Sequence, residues 1–160
     1  MLSTLLLLIG LSSSVNLGEV SPGFVGRAIA HGHRWEAQAL YDTADKYTGA
    51  GWRGQIIGQG VIGSGLLLGA EYLHRNGGAW TKDTGWLRGG YARAWGHNSL
   101  QLVLRAAVVG HLDNQGAVQV EYRRYAGRVV IATTQGVLWY TQTAWQAGYY
   151  MTASVGLVAF

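Results

Sequence analysis

Hydrophobic and polar side chains alternate with a period of two over most of the chain. In Ser99–His111 (SLQLVLRAAVVGH) the even positions from Leu100 to Val108 are all apolar, whereas the odd positions include Gln101 and Arg105. Successive side chains of a β-strand point to opposite faces, so this segment is predicted to be a strand with one apolar and one mixed face. The same alternation is found at residues 34–42, 52–59, 66–75 and 117–123.

Three further segments bring the number of predicted strands to eight: 86–95, 128–141 and 147–160. Arg88 and Arg93 have opposite parity, and a bulge at the glycine pair 89–90 is predicted to return both to one face. The connections alternate between long segments, at 43–51, 76–85, 112–116 and 142–147, and tight ones, at 63–65, 96–98 and 126–127. This alternation is typical of an up-and-down meander. The sequence therefore predicts an all-β fold, an eight-stranded antiparallel up-and-down β-barrel formed by residues 21–160.

The segment 1–20 contains an apolar run from Leu5 to Leu11, which is too short to cross a bilayer as a helix. Followed by Ser12, Ser13 and Ser14, the run resembles the apolar region of a secretory signal peptide and its cleavage zone. A signal peptide or N-terminal extension is predicted here, with an ordered N-terminal helix or strand as the alternative.

Composition favours a membrane location for the barrel. Only 12% of the 160 residues are charged, while the chain has 25 glycines, seven tryptophans and nine tyrosines. A soluble domain has about twice this share of charged residues. The net charge of +4 is spread along the chain without a closely spaced basic stripe, so no nucleic-acid partner is predicted. No cysteine is present, which excludes disulfides and thiolate metal sites.

In a membrane barrel the apolar face of each strand contacts lipid and the polar face lines the lumen. The predicted lipid-facing residues are Trp35, Leu66, Leu68, Leu100, Leu102, Leu104, Val118, Val120 and Tyr122. Aromatic residues near strand ends, Trp86 among them, are predicted to form girdles at the membrane interfaces.

The predicted lumen residues are charged and form an ion-pair network that plugs the barrel. They are Arg34, Glu36, Arg53, Glu71, Arg75, Arg88, Arg105, Glu121 and Arg123. Matching like faces of neighbouring strands makes Glu121 the expected partner of Arg105. The alternative interpretation is a charged conduit or binding site.

The chain ends in Phe160 after the sequence VGLVA. Together with the strand pattern over about 27–160, this resembles the small eight-stranded outer-membrane barrels of the OmpA/OmpX type, whose last strand ends in a phenylalanine read by the assembly machinery. The terminal strand departs from the family, because the residues on the parity of Phe160 are less apolar than those on the opposite parity. The first set is Val158, Gly156, Ser154 and Thr152, and the second is Leu157, Val155, Ala153 and Met151. A bulge, or a non-standard assembly signal, is expected there.

The resemblance implies an integral outer-membrane protein that is secreted before it inserts into that membrane. It would act as a non-enzymatic anchor in contact with membrane lipid. A protein partner would bind through the longer loops, where the predicted contact residues are Lys46, Tyr47, Trp80, Lys82 and Asp83. Three alternatives remain open: a soluble barrel that binds a small apolar ligand, a subunit of an oligomeric pore, and a membrane hydrolase.

Two sets of residues suggest chemistry. His31 and His33 share a strand face, but no third ligand accompanies them, so neither a metal nor another cofactor is predicted. His97 and Ser99 resemble the His-x-Ser of outer-membrane lipid A deacylases, in which a glutamate completes a triad. They flank a tight turn, and Glu121 is too far along the next strand to orient His97, so no catalytic residue is predicted.

Overall fold

The structure is a computed structural model that describes residues 4–16, 19–43, 51–78, 81–110, 114–141 and 145–159. These residues form ten β-strands, which are β1 (Thr4–Asn16), β2 (Glu19–His31), β3 (Trp35–Asp42), β4 (Trp52–Ile62), β5 (Leu66–Asn76), β6 (Thr81–Trp95), β7 (Asn98–Gly110), β8 (Asn114–Ala126), β9 (Val129–Thr141) and β10 (Trp145–Val158). The described residues contain no helix that is long and apolar enough to cross a bilayer.

The ten strands form a closed antiparallel barrel with up-and-down order. Each strand pairs with its neighbours in sequence, and β1 closes the barrel against β10, with Leu6 opposite Val158. The predicted all-β antiparallel barrel is confirmed, and the eight predicted segments correspond to β3–β10. The predicted number of strands is wrong, because β1 and β2 complete the wall.

Strand β1 lies within the segment predicted to be a signal peptide or extension. Leu6 and Leu8 point into the barrel and are buried, whereas Leu7, Ile9 and Leu11 are exposed on its outer surface. Because both faces are apolar here, the sequence shows a continuous apolar run without the alternation that marks a half-buried strand.

Strand β2 was missed for a different reason. It contains the single proline, Pro22, which lies opposite Ser13 of β1. Proline has no N–H to donate to a neighbouring strand, so its presence normally argues against a strand inside a sheet. The outward positions from Gly26 to Ala30 are small, and the strand therefore lacks a bulky apolar row.

The register irregularity in β6 differs from the predicted one. The shift against β7 lies between Gly85 and Trp86, while pairing continues without interruption through the predicted bulge at 89–90. Arg88 and Arg93 therefore stay on opposite faces: Arg88 is buried in the barrel and Arg93 is exposed outside. Trp86, predicted for an outer girdle, points inward and is 1% exposed.

Strand β10 shows no register shift against β1 or β9, so the bulge expected near the C-terminus is absent from the described part of this strand. Thr152 and Ser154 point inward, while Val155 and Leu157 are exposed outside. Phe160 lies outside the described residues.

The two ends of the barrel differ. At one end, which we call the turn rim, the strands are joined by the tight turns at 32–34, 63–65, 96–97 and 127–128. Gly63, Gly96 and Gly127 have φ of 58°, 53° and 61°, the left-handed conformation that tight hairpin turns require and glycine adopts without strain. At the opposite end, the loop rim, residues 17–18, 44–50, 79–80, 111–113 and 142–144 lie outside the described part of the chain.

Candidate functional site: a polar network in the barrel

The interior of the barrel is lined mainly by polar side chains. Eight of the nine predicted lumen residues point inward: Glu36, Arg53, Glu71, Arg75, Arg88, Arg105, Glu121 and Arg123. The prediction for Arg34 is corrected, because this residue lies in the turn before β3 and is exposed. The turn removes it from the strand alternation on which the prediction depended.

Glu71 is the centre of the first charge cluster. Its two carboxylate oxygens accept from Arg88 Nη1 at 2.5 Å and from Arg105 Nη1 at 2.6 Å, and Gln55 also donates to it. Arg88 and Arg105 lie directly opposite each other on β6 and β7. Like charges in this position repel each other, so the carboxylate between them is what makes the pair tolerable.

Glu121 is the centre of the second cluster. It accepts from Arg27 Nη2 and from Arg123 Nε, both at 2.5 Å. Arg27 lies on β2 and Glu121 on β8, so this ion pair crosses the lumen. The predicted pairing of Glu121 with Arg105 is therefore wrong. Register places Ala117, not Glu121, opposite Arg105, whose partner is Glu71.

Glu36 extends the second cluster toward the turn rim. It accepts from Arg123 Nη1 at 2.5 Å and Nη2 at 2.9 Å, a bidentate contact that fixes both orientation and position. Gln59 Nε2 donates to Glu36 and to Gln101 Oε1, each at 2.9 Å. Since β3 and β8 are not neighbours in the sheet, these contacts again cross the interior.

Asp42 anchors a third cluster toward the loop rim. It accepts from Arg53 Nη2 at 2.7 Å and from the Ser12 hydroxyl at 2.6 Å. The Arg53 guanidinium also lies over the ring of Tyr150, 5.8 Å from its centroid. The Tyr150 hydroxyl donates to Gln119 at 2.9 Å, and the ring thus joins β4 to β8 through β10.

Apolar side chains complete the packing above and below the charges. One cluster comprises Leu73, Trp86, Ala117, Leu138 and Tyr150, and the other Leu6, Leu8, Ile29, Val130 and Ala132. The Arg105 guanidinium stacks on Trp86, 5.1 Å from the ring centroid. Between the clusters a central cavity of about 30 Å³ is found, which has room for about two waters. A wider cavity of about 400 Å³ opens at the turn rim.

Several residues of this network were not predicted. Arg27 and Ser12 belong to β2 and β1, the two strands that the alternation did not reveal. Asp42 and the glutamines were visible on the polar parity of predicted strands, and that parity alone would have placed them in the lumen. Tyr150 carried no signal, because a tyrosine in a weakly alternating strand fits either face.

The outer wall is apolar. All nine residues predicted to face lipid lie on it, and Leu104 is 56% exposed. Exposed or half-exposed aromatic residues occur near both rims: Trp35, Tyr91, Trp95 and Tyr122 toward the turn rim, and Tyr41, Trp52, Tyr72 and Tyr149 toward the loop rim.

The predicted loop contacts are only partly described. Lys46, Tyr47 and Trp80 lie outside the described residues. Lys82 and Asp83 belong to strand β6 instead of a loop, since the strand begins at Thr81. Asp83 accepts from the Tyr72 hydroxyl at 2.5 Å and contacts His74 Nδ1 at 2.8 Å on the outer wall.

The structure does not bring His31 and His33, or His97 and Ser99, together with the further groups that a metal site or a catalytic triad would require. His31 ends β2 and His33 is exposed in the following turn, and the described residues contain no group of three or more His, Cys, Asp or Glu that could hold a metal. Ser99 lies opposite Arg123. The Glu121 carboxylate is bonded to arginines and not to His97, which is exposed in its turn.

No protein-family model, curated protein or solved structure matches this chain.

Proposed function

We propose that this chain is an integral membrane β-barrel of the outer-membrane kind, whose packed polar lumen makes it a non-conducting anchor that displays its loop rim. The observation that carries the proposal is the inverted distribution of side chains: charges are buried inside and leucines are exposed outside. Water would oppose this arrangement, whereas a bilayer stabilises it.

The height of the apolar wall supports insertion. On β7 the outward row from Leu100 to Val108 covers eight residue steps, or about 27 Å along the strand. At a strand tilt of about 40° this corresponds to about 21 Å along the barrel axis, close to the apolar band of about 25 Å in membrane barrels. The aromatic residues near both rims lie where interfacial girdles are expected.

Three features of the lumen support a barrel that does not conduct. Ion pairs and hydrogen bonds link strands across the interior, Tyr150 joins several of them, and the cavity between them has room for only about two waters. A pore of 16–18 strands leaves an aqueous channel, whereas a narrow barrel is filled by its side chains.

The alternatives lack this kind of support. A soluble barrel that binds an apolar ligand would need an apolar interior, but here the buried central positions include Glu71, Arg105 and Glu121. A hydrolase built on His97 and Ser99 would need a carboxylate free to orient the histidine.

The proposal is tested by purifying the full chain with and without detergent. We expect aggregation without detergent, insertion into vesicles, and faster gel migration of the unheated than of the heated protein. A stable, monodisperse monomer in plain buffer would contradict membrane insertion. In planar bilayers we expect no steady conductance, and a reproducible single-channel current would contradict the plugged lumen.

A further inference from the structure

The ten arginines of this chain fall into two groups. Six point into the lumen, and the other four, Arg34, Arg93, Arg124 and Arg128, are exposed at the turn rim. Their positions are set by the fold: Arg34 and Arg128 lie in tight turns, while Arg93 and Arg124 are on the outer wall within a few residues of the turns that end β6 and β8.

None of these four arginines has an ion-pair partner among the described residues. The described part of the turn rim also has no exposed acidic side chain. Its nearest carboxylate, that of Glu36, points into the lumen and is held by Arg123. The exposed positive charge is therefore uncompensated within the part of the rim that the structure describes.

The outer-wall pair is arranged around an aromatic residue. Arg93 precedes Trp95 by two positions on the same face of β6, about 7 Å along the strand. Asn98 of β7 lies between Trp95 of β6 and Arg124 of β8, opposite both. Arg124 is therefore two strands, or about 10 Å, from Trp95. The Tyr122 hydroxyl donates to Asn98 Oδ1 at 2.6 Å and thereby orders the surface between them.

We infer that the turn rim binds the phosphate of anionic phospholipid headgroups, with Arg93 and Arg124 as its principal contacts. The inference rests on the proposed membrane insertion. Arg93 lies opposite Leu100, the first residue of the apolar row on β7, so the arginines are at the edge of the band, where headgroups begin. A guanidinium matches phosphate geometry in a bidentate manner, and Trp95 suits the same interface.

This surface also gives the barrel a preferred orientation. The described loop rim lacks an exposed arginine and carries the exposed carboxylate of Asp83. Because an anionic leaflet attracts basic residues near its surface, the turn rim should occupy the leaflet that is richer in anionic lipid.

The test uses the full chain in phosphatidylcholine vesicles that contain a trace of spin-labelled lipid. Electron paramagnetic resonance then measures how strongly phosphatidylglycerol associates with the barrel relative to phosphatidylcholine. We expect about a five-fold preference, the equivalent of one arginine acting near the surface. The preference should fall toward unity in R93Q/R124Q and in 1 M NaCl, and it should persist in the charge-preserving control R93K/R124K.

Insertion of every variant is checked first by heat-modifiable migration. Failure of the wild type to insert in any lipid overturns the proposed function and this inference together. Inserted wild-type protein without a preference for phosphatidylglycerol overturns the inference alone, as does an undiminished preference in R93Q/R124Q. If that variant does not fold, the single variants R93Q and R124Q provide the second test, and each is expected to lower the preference in part; an unchanged preference in both overturns the inference.

Discussion

Replacing Glu71 by glutamine isolates the electrostatic contribution of the lumen network. The substitution preserves the shape of the side chain and removes only its charge. In the wild type the carboxylate is 0% exposed and lies between the guanidiniums of Arg88 and Arg105, which are 1% and 5% exposed. In E71Q these two arginines would face each other across β6 and β7 without the carboxylate that joins them.

The magnitude follows from the two contacts. Each guanidinium–carboxylate pair, with charge centres about 4 Å apart, gains about 4 kcal/mol at an effective dielectric constant of about 20, or about 8 kcal/mol for the two pairs. Part of this is offset by the smaller desolvation cost of the neutral amide and by the hydrogen bonds that the amide can still make. Breaking a buried ion pair by removing one partner costs about 3–5 kcal/mol, and we expect E71Q to lose this much unfolding free energy.

The assay is urea unfolding in vesicles, followed by tryptophan fluorescence. The control Q119A removes a buried neutral group that bonds Tyr150, and it should cost about 1–3 kcal/mol. The triple variant E71M/R88M/R105M removes all three charges together and should be more stable than E71Q, because apolar side chains of similar volume replace a buried triad at little cost. A loss below about 1 kcal/mol in E71Q, or a triple variant less stable than E71Q, would refute this account of the lumen.

Three further outcomes are expected. Arginine at Leu104, midway along β7, should cost about 2–4 kcal/mol in a bilayer and L100R near the rim only about 0–1 kcal/mol, measured by the same unfolding assay; equal costs would contradict the proposed band. G156A should destabilise the closure of β1 on β10, since its Cβ would overlap the Leu7 carbonyl oxygen, whereas G58A, with open space outside, should not; the melting temperatures of the two variants check this. E121A should lower the melting temperature more than alanine at the neutral amide of position 119, because Arg27 and Arg123 would lose their shared carboxylate.

The sequence predicted the parts of the fold that depend on one strand at a time. Alternation identified β3–β10 and assigned Glu71, Arg105 and Leu104 to the correct faces. It failed for β1, which is apolar on both faces from Leu5 to Ile9, and for β2, where Pro22 and small residues hide the pattern.

The partners within the lumen could not be predicted in the same way. Which arginine meets which carboxylate depends on the number of strands and on their stagger around the barrel. A barrel of the eight predicted strands would not contain Arg27, because this residue belongs to β2. A comparison of neighbouring strands alone assigned Glu121 to Arg105. The contacts of Glu121 with β2 and of Glu71 with β7 skip over adjacent strands, so no pairwise pattern within a hairpin contains them.

The pairing of β1 with β10 has a consequence for the order in which the molecule folds. Leu6 and Val158 lie opposite each other although almost the full length of the sequence separates them. All other strand pairs are hairpins between successive strands and can form locally, but this last pair has the greatest sequence separation and must form late. Until then, two open edges expose unpaired backbone groups, which a membrane tolerates poorly.

The described chain ends also meet at the turn rim. A circular permutant that joins them and opens one of the tight turns should therefore keep the same barrel while changing which pair of strands closes last.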